Sequence, residues 1–322
     1  MTSLLEIKEY IKNFYMKYET YITYGWKFVL SLIALCAINS KIGFQSSLTS
    51  FPIVLMAALL CSIMPKNFMV FMSALFIIGH LYELSLPCML AVVILFLIMF
   101  LLYFRFSPKD TLAVMLTPLC FFFHVPYVMP IAMGLLGTPV SIISVSCGVI
   151  VTYVIRYVAE NATAFTAAAD SEETTVAFQA VLSEILENKA MLAVIIAFAI
   201  TIALVYVIRR LSIDHAWTVA IIAGALCDAI CMLVGDLVFD TQISIISVIF
   251  GAVVAGLIAK CIEFMVFDLD YTRTENVQFE DDEYYYYVKA VPKVTVSTPE
   301  KKVKKINRSR AQQARRRESA DR

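Results

Sequence analysis

Apolar and polar positions along this chain segregate into long blocks, on a scale of about twenty residues rather than the two or four of a soluble fold. Continuous apolar runs cover residues 21–39, 48–64, 68–82, 86–104, 111–158, 190–208, 213–237 and 242–267. Most approach the ~20 residues with which a helix crosses the hydrocarbon core of a bilayer. The second and third are shorter and are separated by the polar turn Pro65-Lys66-Asn67. The run 111–158 is too long for one crossing and is interrupted by Pro118, Pro126, Pro130 and Pro139.

The charges between the runs set an orientation. Cytoplasmic loops of membrane proteins are enriched in Lys and Arg. Thirteen of the 26 basic residues lie from Arg273 onward, which places the C-terminus in the cytoplasm. Tracing back, Arg209 and Arg210 fall inside and the acidic stretch 160–187 outside. Lys66, Arg105, Lys109 and the N-terminal lysines agree only if 111–158 crosses once in net. The economical solution is a re-entrant hairpin over 111–137, broken near His124-Val125-Pro126, followed by a span over 139–158. That gives eight spans plus one Pro-broken hairpin. A full span in place of the hairpin would give nine and put the N-terminus outside.

Two phrases recur in order. TLAVMLTPLC at 111–120 matches TVAIIAGALC at 218–227, and TPVSIISVSCGVIV at 138–151 matches TQISIISVIFGAVV at 241–254. The gap is four residues longer in the first copy. The two SIISV helices run in opposite directions in the predicted topology, as in an internal inverted repeat. Such repeats, and broken helices at membrane depth, occur in secondary transporters.

Composition agrees with the pattern: 60% of the 322 residues are hydrophobic and 16% charged, too apolar for a soluble domain. The expected class is an all-α polytopic membrane helix bundle in the cell membrane. Its divisions are an amphipathic interfacial helix at 1–26, a first membrane half at 27–158, an extracytoplasmic loop at 159–189, a second membrane half at 190–267 and a cytoplasmic tail at 268–322. The loop carries Val176, Phe178, Val181, Leu182, Ile185 and Leu186 at helical spacing, a second amphipathic helix. In the tail, 279–291 is acidic and then β-prone, and 294–296 is its expected pairing partner. The basic run beyond it is expected to be disordered. The phrase FEDDEYYYYVKAVPK at 279–293 resembles the ending of some uncharacterised multi-pass membrane proteins of Gram-positive bacteria. That resemblance covers roughly the last span and tail and implies no activity, cofactor or functional residue.

Candidate chemistry is sparse. Asp228 falls near the middle of the run 213–237, where an ionisable group is costly and marks a functional position by default. A coupling or ion-binding role and a buried carboxyl that ties helices together are the alternatives. His124, with Pro126 and Pro130, lies at the predicted break as a gate, or as a cap on freed carbonyls. His80 is expected to pair with Glu83 at the surface, and Lys260 with Glu263 along one helix. The tail residues Lys301, Lys302, Lys304, Lys305, Arg308, Arg310, Arg315, Arg316 and Arg317 suit anionic lipid or a cytoplasmic protein partner, or serve only to set topology. Nucleic acid is not expected as a partner. The eight cysteines lie in apolar segments without metal-ligand spacing, no cofactor is implied, and hydrolase, protease and P-loop motifs are absent. Taken together these features predict a transporter or channel-like permease, not an enzyme. The alternative is a non-transporting scaffold or anchor whose tail recruits a partner.

Overall fold

A computed structural model describes residues 2–169, 183, 187–239, 244–266 and 275–291. The helices are α1 (Thr2–Lys17), α2 (Glu19–Ile42), α3 (Ser46–Thr49), α4 (Phe51–Ile63), α5 (Lys66–Leu84), α6 (Leu86–Phe106), α7 (Thr111–Phe122), α8 (Val128–Leu136), α9 (Ser141–Glu160), α10 (Ala162–Ala169), α11 (Lys189–Arg209), α12 (Ala216–Phe239) and α13 (Ile245–Val266). Strands β1 (Glu275–Glu280) and β2 (Tyr285–Ala290) follow. Seven of the described helices, namely α2, α5, α6, α9, α11, α12 and α13, are long and apolar enough to cross a membrane. Leu97, Leu101, Ile200, Leu226, Ile230 and Phe250 are exposed on them. An apolar surface spread over so many helices is the mark of contact with lipid. The protein is an all-α integral membrane protein.

The short second run is divided between α3 and α4. Ser50, two residues before Pro52, is extended at ψ 129°, and Pro52 sits in the first turn of α4, where its missing N–H costs nothing. What remains of α4 is 13 residues, a rise of about 20 Å, short of the ~30 Å core.

The long run 111–158 resolves into three helices. The α7 helix ends in a tight reversal at His124, whose φ is 61°, in the left-handed region. His124 N–H donates to Phe121 O at 3.2 Å and Val125 N–H to Cys120 O at 2.8 Å. This is the bond pair of a Schellman stop, with histidine in the place usually taken by glycine and a proline next but one. The returning α8 runs beside α11 in the same direction: Tyr127 meets Phe198 with ring centroids 6.5 Å apart, and Arg209 donates to Leu135 O and, at 2.7 Å, to Gly137 O. With 12 and 9 residues, α7 and α8 are each too short to cross a bilayer. The start of α7 and the start of α9 lie together, since Ser141 Oγ donates to Asp110 Oδ2 at 2.6 Å. Higher up, a Cβ on Gly148 would come within 2.5 Å of Thr117 Cβ, and Phe121 meets Tyr153 at 6.3 Å. The three contacts keep a near-constant offset in sequence, so α7 and α9 are parallel.

Two apolar clusters share this hairpin as a border. One joins α2, α4, α5 and α6 to α7 and α9. The other joins α8, α11, α12 and α13 to α7 and α9. Antiparallel α11 and α12 interlock through glycine, with Val205 filling the space where side chains at Gly134 and Gly224 would stand. Thr218 at the start of α12 donates to Glu263 near the end of α13 at 2.9 Å, so those two helices are antiparallel. The repeat therefore needs correction as an inverted one. Its members α7 and α9 run parallel, whereas α12 and α13 run antiparallel, and no single rotation carries one pair onto the other.

The N-terminal helix ends at Lys17, and residues 19–26 belong to α2. Lys8 of α1 is buried, with Nζ 5.3 Å from the centre of the Phe264 ring of α13, while Ile7, Ile11 and Phe14 are exposed. The β-prone tail segment does form a strand, but its partner is β1, before it in sequence, paired antiparallel from Glu275↔Ala290 to Glu280↔Tyr285. The acidic residues make the turn instead of a strand. Asp281 accepts from the backbone N–H groups of Glu283 and Tyr284 and from the Tyr286 hydroxyl, bonds that hold its carboxyl below the usual carboxylate range. The predicted partner 294–296, the amphipathic segment of the loop 159–189 and the basic tail 301–322 lie outside the described residues.

Candidate functional site

Between the two clusters lies a cavity of about 890 Å³. The α2, α5 and α6 helices wall it on one side, α7, the His124 turn and α9 along its length, and α11, α12 and α13 on the other. Most of the lining is apolar, with aromatic and methionine side chains such as Phe96, Met99, Met115, Phe121 and Phe198. On α9 the lining extends from Cys147 to Glu160, about 20 Å along the helix axis.

The two ends differ. Where α2 and α9 finish and the α7–α8 hairpin turns, the lining becomes polar: Lys41, His124, Arg156 and Glu160. Lys41 Nζ stands 5.7 Å above the Phe122 ring and makes no ion pair among the described residues. Arg156 Nε donates to Glu160 Oε1 at 2.8 Å, with both side chains mostly exposed. Close by on α13, Ser247 and Phe250 line the cavity and are exposed, so the wall is incomplete toward the bilayer.

The far end is shut by a compact polar lattice. Tyr103, 1% exposed, donates through its hydroxyl to Asn67 Oδ1 at 3.0 Å and lies 3.1 Å from Thr111 Oγ1, which itself donates to Asn67 Oδ1 at 2.5 Å. Ser144 Oγ donates to Ser107 Oγ at 2.6 Å beside it. Hydroxyls and an amide satisfy one another there, which lets polar groups sit at a buried helix junction without penalty.

The candidates from the sequence divide between cavity and core. His124 and Pro126 line the cavity near its polar end. Pro130 is buried within the first turn of α8, where it removes no helical hydrogen bond. Asp228 is fully buried where α12 meets α11 and is not part of the cavity wall, although Met232, one turn on, is. Its Oδ1 accepts from Thr201 Oγ1 at 3.3 Å, and its Oδ2 has no partner among the described residues. His80 is buried, not paired with Glu83 at the surface. The connection after α2 folds back over it, so Gln45 N–H donates to Nδ1 at 3.1 Å, which leaves Nε2 as the donor to Asn39 Oδ1 at 2.8 Å. Lys260 and Glu263 do pair, at 2.8 Å, with Thr218 bonded to both. All eight cysteines are free, and no cluster of metal-ligating side chains exists among the described residues.

In the sequence, Lys41 and Arg156 count only as basic residues left on the outer side by the predicted topology. Arg209 likewise reads there as a marker of topology, whereas its guanidinium caps the C-terminal carbonyls of α8. Neither role has a signal in the linear order, because each depends on which helix ends meet. No protein-family model, no curated protein and no solved structure matches the chain.

Proposed function

We propose that this protein is a carrier-type permease of the cell membrane, with a cytoplasmic C-terminus, one re-entrant hairpin formed by α7 and α8, and eight crossings: the seven long helices and the α3–α4 segment, which runs antiparallel to α2 from Leu48, bonded to Asn39, to Ser62, bonded to Tyr24. The observation that carries this is the cavity at the border of two packed units, flanked by a broken helical hairpin and stopped at one end by a hydrogen-bonded lattice. Secondary carriers place their sites at such borders and open them alternately. The lattice of Asn67, Tyr103 and Thr111 would be the cytoplasmic gate, and the turn at His124 with Pro126 and Pro130 would shape the outer one. Asp228 would pin α11 to α12, not line the route.

Cysteine labelling tests the proposal. Ser73 lines the cavity on α5. With the exposed Cys36 and Cys261 and the cavity-lining Cys147 replaced by serine, Ser73→Cys should react with an impermeant maleimide from the extracytoplasmic side. Adding Tyr103→Phe and Thr111→Val should make it reactive from the cytoplasmic side. If no background gives cytoplasmic labelling, the cavity is a blind pouch and carriage is excluded.

A scaffold keeps one observation in its favour: the β1–β2 hairpin leaves Phe279, Tyr284, Tyr285 and Tyr287 exposed. Removing residues 301–322 should leave a carrier active and cripple a scaffold that recruits a partner through its tail.

A further inference from the structure

The cavity has the shape of an amphiphile. Its charged end and its long apolar body are continuous, and it opens toward lipid on the side where the charges are. Resting on the proposed carrier site, we infer that its occupant is a single-chain anionic amphiphile: a carboxylate or phosphate head on an unbranched apolar chain. The head lies between Lys41 and Arg156, and the chain runs along α7 and α9 to the floor at Tyr103.

Three observations support this. Among the described residues the mouth carries Lys41 and Arg156 against Glu160 alone, and Arg156 spends only its Nε on that carboxylate. The remaining guanidinium donors match the oxygens of a carboxylate or phosphate. Length is the second. An extended chain advances about 1.2 Å per bond, the increment implied by some 3.6 Å per three-bond residue, and the wall from Arg156 down to Cys147 is about 14 Å long, so a chain of about twelve carbons or more reaches the floor. The third is the exposed pair Ser247 and Phe250, a gap through which a chain can enter sideways from the bilayer.

Energetics make the head, not the chain, the selective part. A chain leaving the bilayer exchanges one apolar environment for another and gains little. An anionic head gains charge-assisted hydrogen bonds from Lys41 and Arg156. A neutral or cationic amphiphile of the same length gains none and meets the Lys41 and Arg156 charges.

The test uses the full-length protein in nanodiscs of zwitterionic lipid, with a fluorescent fatty acid displaced by unlabelled probes. Palmitate and hexadecyl phosphate should displace it saturably, and hexadecanol, hexadecyltrimethylammonium, butyrate and inorganic phosphate should not. The stronger of the first two identifies the head as carboxylate or phosphate. Lys41→Ala and Arg156→Gln, both at exposed positions, should each weaken binding about tenfold. Cys147→Phe, at the floor, should weaken palmitate more than decanoate. Equal displacement by the cationic amphiphile, displacement that never saturates, or indifference to both charge substitutions would overturn the inference. Cytoplasmic labelling of Ser73→Cys without palmitate binding would leave the carrier standing and remove only this substrate class. Binding without such labelling would keep the ligand and exclude carriage.

Discussion

The same words are spoken twice in this chain and folded differently. In the first copy Ser141 and Ser144 of SIISV are fully buried, and they donate to Asp110 and Ser107. In the second, Ser244 and Ser247 are exposed, and so are Ile245 and Ile246. Gly148 packs on Thr117 of α7, its parallel neighbour, whereas the matching Gly251 packs on the ring of Tyr127 from α8. The cause lies in the connection. The first copy inserts α8 between its two phrases, by way of a left-handed histidine and Pro126, and so brings the SIISV helix back alongside its partner. The second joins them as a plain antiparallel pair. Local sequence fixes which residues are helical. The turn between helices decides what each helix touches.

Substitutions on the two SIISV helices and their turn can break that comparison. Gly148→Leu forces a side chain into Thr117 and should destabilise the protein by about 1–3 kcal/mol. Gly256→Leu, with nothing within 4 Å of its Cβ, should be close to neutral. Thermal unfolding in detergent measures both, and equal losses would mean that α7 and α9 are not in contact. A comparable effect is expected from the serines. Ser141→Ala removes a donor to the Asp110 carboxylate and should cost about 1.5–3 kcal/mol, while Ser244→Ala at the matched exposed position should cost nearly nothing. The smallest effect concerns the turn itself. Glycine tolerates positive φ without strain, so His124→Gly should keep the hairpin, with stability changed by no more than about 1 kcal/mol either way. His124→Val, β-branched and strained at φ 61°, should lower the unfolding temperature instead. A glycine variant that unfolds would show that the imidazole, not the backbone stop, holds the turn.

Much of this architecture is legible along the chain. The long spans agree with the helices to within about three residues, because hydrocarbon thickness imposes one length on all of them. The break at His124-Val125-Pro126 announces itself through its prolines. Other features depend on tertiary meeting points and leave no local trace. Whether Asp228 faces a wet cavity or the α11 helix depends on the rotation of α12, which a uniformly apolar helix does not encode. The buried His80 became legible only once the connection after α2 was seen to fold back. The choice of β1 as the partner of β2 turned on Asp281, whose short side chain organises the four-residue turn.

The grip of Arg209 on the end of α8 has a mechanical corollary. With Val205 wedged between Gly134 and Gly224, and the guanidinium clasping Leu135 and Gly137, α8, α11 and α12 behave as one stiff block. In the proposed carrier, a stroke that opens the floor would then come from the opposite wall, with α5 and α6 swinging away as Tyr103 releases Thr111. The pivot of such a stroke would sit at Ser85, where α5 meets α6 at the end away from the floor, and not at the conspicuous proline-rich bend.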